Sequence, residues 1–136
     1  VIFDMLKIRR VIENLIRNAV DAMPEKGNLR ISNIIDADKV VIEVKDTGVG
    51  IPDDVLKGLF KPVHTTKVTG TGLGLYYCRK TLEAHGGSIE VKSKVGSGTT
   101  FILSIPMLYG GKDEHFASEI PLQIEPQLSS LNSNNL

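Results

Sequence analysis

Val40-Val41-Ile42-Glu43-Val44-Lys45-Asp46-Thr47-Gly48-Val49-Gly50-Ile51-Pro52 runs a β-branched strand directly into a carboxylate and two closely spaced glycines. Val and Ile favour a pleated, half-buried surface, whereas Gly and Pro end it, so a strand is expected over 40–45 with a tight loop behind it. Upstream, Leu29-Arg30-Ile31-Ser32-Asn33-Ile34 alternates with period two, and Asp36-Ala37-Asp38-Lys39 supplies turn residues between the two runs. A hairpin is the expected result. A carboxylate at the strand end can accept a hydrogen bond from an exocyclic amine, and glycines beyond it permit close backbone approach to a flat ring or a phosphate. Asp-x-Gly would also make a simple turn with no ligand at all.

Working outward, Ile8, Val11, Ile12, Leu15, Ile16, Ala19, Val20 and Met23 recur at helical spacing, which predicts a helix from about Met5 to Met23, closed by Pro24 and Gly27. Asn14, Asn18 and Asp21 share one face of it, roughly opposite the apolar stripe. Asn inside a helix costs about 0.5 kcal/mol relative to Ala, so two aligned amides suggest a task. The plain alternative is a solvated polar face, with Lys7, Arg10 and Arg17 on or near it. The functional alternative makes Asn18 an oxygen ligand for Mg²⁺, a hard cation that usually bridges phosphates.

Downstream, one short helix is expected near Asp53–Leu59 and a long one over about Leu73–His85, stopped by Gly86-Gly87. Gly70-Thr71-Gly72-Leu73-Gly74-Leu75 opens this second helix, and a glycine-rich helix start offers unpaired N–H groups to phosphate. A flexible loop ending in a helix cap is the competing explanation. Two further strands are expected, Ser88–Ser93 and Thr99–Ile105. Beyond Pro106 the chain turns polar and rich in Ser and Asn, so 109–136 is expected to be a flexible tail after a domain over 1–108.

Composition narrows the function. Lys plus Arg and Asp plus Glu are 16 each, a balance that disfavours nucleic acid or an anionic membrane surface as the main partner. Cys78 is the single cysteine, which rules out an intrachain disulfide and suits a reducing cytoplasm. No apolar run approaches the roughly 18–20 residues of a membrane helix. The start, Val1-Ile2-Phe3-Asp4, lacks an initiator Met and signal-peptide features, as expected of a fragment of a longer protein. No Gly-x-Gly-x-x-Gly and no Gly-x-x-x-x-Gly-Lys-[Ser/Thr] occurs, which disfavours a dinucleotide fold and a P-loop. The serine/threonine-kinase signatures are missing as well.

Four segments, in order, resemble the nucleotide-binding boxes of the sensor histidine kinase catalytic domain. Glu13-Asn14-Leu15-Ile16-Arg17-Asn18-Ala19-Val20-Asp21-Ala22 resembles its asparagine box and Asp46-x-Gly48-x-Gly50-Ile51-Pro52 its first glycine box. Leu59-Phe60-Lys61-Pro62-Val63-His64-Thr65-Thr66-Lys67 resembles the phenylalanine box and the start of an ATP lid, and Gly70 to Leu75 the second glycine box. His85-Gly86-Gly87-Ser88-Ile89 and Gly96-Ser97-Gly98-Thr99-Thr100-Phe101 look like the closing strands. The likeness covers about Asp4 to Pro106, and Thr65-Thr66-Lys67 and Asp21-Ala22 are similar to the nitrogen-regulator subgroup.

The resemblance implies an α+β fold, a two-layer α/β sandwich of Bergerat type. Its mixed sheet would have about five strands, with about three helices on one face. It also implies Mg-ATP as ligand, with Asn18 on the metal and Asn14 supporting the phosphates. Asp46 would accept from the adenine amine, assisted by Gly48, Gly50, Ile51 and Thr100, with Asp21 also among the nucleotide-binding residues. Phe60 would anchor the lid, Lys67 would lie near the terminal phosphates, and Thr71, Gly72, Leu73, Gly74 and Leu75 would wrap them. Many relatives carry a phosphate-contacting Lys where Asp21 stands, so here Arg10, Arg17 or Lys67 would make that contact. The N-terminal edge strand of the family would be absent or reduced to Val1–Phe3.

Gyrase, mismatch-repair and chaperone ATPases of the same fold place a Glu one helical turn before the metal-binding Asn. Asn14 stands there instead, and an amide is a poor general base. The implied reaction is therefore γ-phosphoryl transfer to a histidine on a dimerisation helix domain absent from this chain, with a response regulator downstream. The isolated domain is expected to be monomeric and cytoplasmic, without direct membrane contact, although its parent could be membrane-anchored. A non-catalytic ATP-sensing module, or a serine kinase or ATPase of the superfamily, are the alternatives.

Overall fold

The computed structural model describes residues 4–62 and 74–106, and the backbone pairing of 116–124. Helix α1 (Met5–Asp21) opens the chain, followed by the hairpin β1 (Gly27–Asp36) and β2 (Lys39–Asp46). Next come the short α2 (Asp53–Leu56), the helix α3 (Gly74–Ala84), and the strands β3 (Ser88–Lys94), β4 (Gly98–Pro106) and β5 (Phe116–Ile124). The sheet order is β3-β4-β2-β1-β5, and every pairing is antiparallel. The α+β sandwich and the five strands agree with expectation, but among the described residues the sheet is antiparallel rather than mixed. The fifth strand comes from the C-terminal segment that was expected to be a flexible tail, while Val1–Phe3 lie outside the described residues.

The core lies between the two long helices and one face of the sheet. Ile8, Val11, Leu15 and Ala19 of α1 and Cys78 and Leu82 of α3 pack with Leu29, Val44, Phe101, Leu103 and Ile105 from the strands. Their alternation with exposed Arg30, Glu43, Lys45, Glu90 and Lys92 is that of a sheet with one face covered. In the α1–α3 seam, burial pushes the Cys78 thiol up to about 11, so it is an inert packing group.

Two polar devices tie the helix ends together. Asp4 caps α1 by accepting from the amides of Leu6 and Lys7 at 3.1 and 3.2 Å. Its own amide donates to Nε2 of buried His85, just beyond α3, at 3.0 Å. A nitrogen that accepts from an amide carries no proton, so the His85 proton sits on Nδ1 and is donated to the Thr81 carbonyl at 2.7 Å. The start of α1 is thereby latched to the end of α3. Among the described residues, no helix is long and apolar enough to cross a membrane.

Leu15 is fully buried midway along α1. Leu15→Ala is expected to cost about 2–5 kcal/mol of stability, read from the urea midpoint at unchanged slope. A cost well under about 1 kcal/mol would mean that α1 does not anchor the core.

Candidate nucleotide-binding site

A cleft of about 550 Å³ opens between α1, the loop after β2, and the start of α3, a volume within the usual range for a small-molecule site. Its walls are mostly apolar: Val49, Ile51, Pro52, Val55, Leu59, Leu75 and Phe101 contribute, with Asn18 and Asp21 as polar groups from α1. Asp46 stands in the lining with only 3% of its surface exposed.

Local sequence explains why Asp46 can be held there. As the last residue of β2 it is opposite Thr99 on β4, on the helix-covered face. Its Oδ1 accepts from the amide of Gly48 at 2.8 Å and that of Thr99 at 3.2 Å. Oδ2 takes no bond from the described residues, yet no buried side-chain oxygen or nitrogen among them lacks a partner, so Oδ2 is open to the cleft. Burial raises the Asp46 carboxyl above its ordinary range, and the Gly48 and Thr99 amides pull part of the way back. What results is a desolvated acceptor with one oxygen to spare.

Glycine is required beside it for two separate reasons. A Cβ on Gly48 would lie 2.5 Å from the carbonyl oxygen of Ala22, which the end of α1 presses against this loop. Gly50 has φ of +79° and passes directly over the Lys94 carbonyl. The loop is then pinned to β3, where the Ile51 amide donates to Ser93 Oγ at 2.8 Å. Ser93 Oγ is in turn 2.7 Å from the hydroxyl of Thr99.

The structure brings Asn18, Asp21, Asp46, Gly50, Ile51 and Leu75 together in the cleft lining. Asn14, Gly48, Phe60, Gly74 and Thr100 are not in it. Asn14 instead donates to the Gly74 carbonyl through a long 3.4 Å bond, linking α1 to the first residue of α3. Phe60 backs the wall from behind, its ring edge-on to Phe101 at 6.4 Å. Thr100 points away because successive strand residues alternate faces: it pairs with Lys45, whereas Thr99 pairs with Asp46. Thr99 is thus the hydroxyl at the cleft, a position readable in advance from parity with the core residue Phe101. Pro52 and Leu59, which belong to the glycine and phenylalanine boxes without an assigned role, and Val55 of α2 also line the cleft.

Lys67, Thr71, Gly72 and Leu73 lie outside the described residues. Arg10 and Arg17 are exposed and do not line the cleft. Glu13, the carboxylate nearest Asn14 in sequence, is exposed and bound to Arg9 at 2.9 Å.

Comparison with known proteins places this geometry. Residues 3–108 match the family described as histidine kinase-, DNA gyrase B- and HSP90-like ATPase. Sporulation kinase E of Bacillus subtilis is 41% identical over 102 residues, which are 74% of this chain and 14% of that protein. Sensor protein FixL of Bradyrhizobium diazoefficiens is 41% identical over 109 residues, 78% of this chain and 22% of that protein. The chain therefore spans under a quarter of these relatives. The nucleotide-free catalytic domain of histidine kinase ThkA superposes with a TM-score of 0.66 at 38% identity, over 76% of this chain and 68% of that one. Full-length ShkA, solved in complex with AMPPNP, superposes with a TM-score of 0.63 at 30% identity, over 74% of this chain and 21% of that one. The chain belongs to the histidine kinase-, DNA gyrase B- and HSP90-like ATPase family, and its fold is that of a sensor histidine kinase catalytic domain.

Proposed function

We propose that this domain binds Mg-ATP in the α1–β2–α3 cleft and presents its γ-phosphoryl group to a histidine on a separate helix domain of the same parent protein. The observation that carries this reading is Asp46: a buried carboxylate with one oxygen open to an apolar cleft suits the exocyclic amine of adenine. The apolar walls fit the flat faces of the base, and Thr99, whose amide binds the same carboxylate and whose hydroxyl is held by Ser93, lines the cleft as well. Relatives named as sensor and sporulation kinases, and a structural neighbour solved with AMPPNP, support the choice of nucleotide. A response regulator would receive the phosphoryl group in turn.

Asn18 would offer its amide oxygen to Mg²⁺. Held there, the cation would supply charge neutralisation at the phosphoryl group. Among the described residues no three His, Cys, Asp or Glu side chains gather as a metal cage. Asn14 would act on geometry by holding the start of α3 against α1. Neither Asn14 nor exposed Glu13 is placed to draw a proton from water in the cleft, which favours transfer to another protein over hydrolysis. Lys67 and the stretch Thr71 to Leu75 would complete the phosphate side.

Calorimetric titration of ADP and a non-hydrolysable ATP analogue is expected to give binding that Mg²⁺ strengthens. In Asn18→Ala the Mg²⁺-dependent gain should vanish while the Mg²⁺-free affinity persists; unchanged Mg²⁺ dependence would remove Asn18 from the metal.

The Asp46 carboxyl sets a pH dependence. Its pKa is raised in the folded chain, so without ligand its ionisation disfavours the fold. That penalty is absent below 3.8 and grows as pH rises towards the folded value. An amine donor favours the ionised form, so nucleotide affinity should fall as pH drops through the folded value. Asp46→Asn should bind more weakly at neutral pH with a flat profile over that window. A wild-type profile as flat as the variant's would exclude ionised Asp46 from binding.

Thr99→Val keeps the backbone amide that Asp46 needs but removes the hydroxyl facing the cleft. It is expected to weaken nucleotide binding by about 1 kcal/mol, whereas Thr100→Val should leave affinity unchanged. The reverse ranking would restore Thr100 to the site.

A further inference from the structure

Among the described residues strand β5 has one neighbour in the sheet, β1, and it lies beyond residue 108, where the match to the family ends. The ladder runs from Gly27 opposite Ile124 to Ile35 opposite Phe116, so β5 covers almost the whole outer edge of β1. The register is chemically consistent. Leu29 stands opposite Leu122 and Ile31 opposite Ile120, while Asn28 meets Gln123 and Asn33 meets Ser118. A slip by one residue would set Ile120 against Arg30 or Ser32, so the pattern selects this pairing. Bare, the edge of β1 would present a row of unpaired N–H and C=O groups, the template for addition of an extended segment. Pro121 lies within β5 and has no N–H, which suits a strand at the margin of a sheet rather than in its interior. At the opposite edge, β3 carries Glu90, Lys92 and Lys94, charges that discourage addition there.

We propose that the outer edge of β1 is a strand-docking site, and that its occupant is the chain's own segment Phe116–Ile124, acting as a detachable strand that shields the edge. Main-chain hydrogen bonds supply the affinity, and the alternating apolar positions supply the register. Tethering through residues 107–115 gives the segment an effective concentration on the order of millimolar, so it outcompetes the same strand offered by a second copy at ordinary concentrations. The proposal does not depend on the nucleotide reading.

The test uses the full chain, the variant Glu119→Pro/Ile120→Pro, and a synthetic peptide of residues 116–124. Two consecutive prolines remove one amide directed at β1 whatever the phase of the ladder. Amide exchange at the β1 positions facing β5 is expected to accelerate by roughly tenfold or more, with those facing β2 unchanged, and the peptide should reverse the change. In the unaltered chain the peptide should displace β5 only at concentrations on the order of millimolar. Unchanged β1 exchange in the variant would overturn the proposal. So would acceleration spread through β2 and β4, which would make β5 an integral strand, or failure of the peptide to restore protection and to compete with the unaltered chain.

Discussion

The carboxylate of Asp46, held at the end of β2 by the amides of Gly48 and Thr99, is the constraint around which the cleft is built. A buried carboxylate is costly unless hydrogen-bonded, and here two backbone donors offset only part of the desolvation. The remaining oxygen faces an apolar cleft with its acceptor capacity unused. Satisfying Asp46 requires the loop to turn back after the strand and β4 to lie in register beside β2. One side chain thus couples the glycine loop, the sheet register and the chemistry the cleft can perform.

Around this anchor the glycine loop is fixed on both sides. The end of α1 presses on Gly48, leaving no room for a side chain, and the Ile51 amide is bound to Ser93 on β3. The helix layer is tied at both ends: Asn14 reaches the first residue of α3, and the cap of α1 reaches His85 beyond the last. Amides in the middle of α1, unfavourable for a helix by propensity, are used at the seam and at the cleft rather than left as a solvated face. Asn14 and Asn18, one helical turn apart, thereby fall to different tasks. Asn18 lines the cleft and Asn14 binds the neighbouring helix.

The sheet has a different logic at each edge. One ends in a short strand bearing charges, the other in a segment that follows the family domain in sequence and pairs along β1. A polar, Ser- and Asn-rich C-terminus reads as a tail because composition averages over the run. Within it, Phe116, Ile120, Leu122 and Ile124 form a short apolar pattern whose meaning depends on an open partner edge.

Periodicity alone located α1, the β1–β2 hairpin, α3 and the two closing strands, because burial of one face imposes a period of 3.6 or 2 directly on the residues. The pattern Asp46-x-Gly48-x-Gly50 was legible as a tight loop, but the glycines expected to admit a ring or a phosphate make room for the carbonyls of Ala22 and Lys94. Tertiary structure decided what depends on neighbours distant in sequence. Antiparallel pairing throughout the sheet follows from which strand edges meet, and the choice of Thr99 over Thr100 follows from the register of β4 on β2. The separation of Asn14 from Asn18 was likewise settled by where α3 docks, and the strand at 116–124 by the edge that β1 leaves open. Each of these is a relation between two segments, and a single stretch of sequence carries only its own half of it.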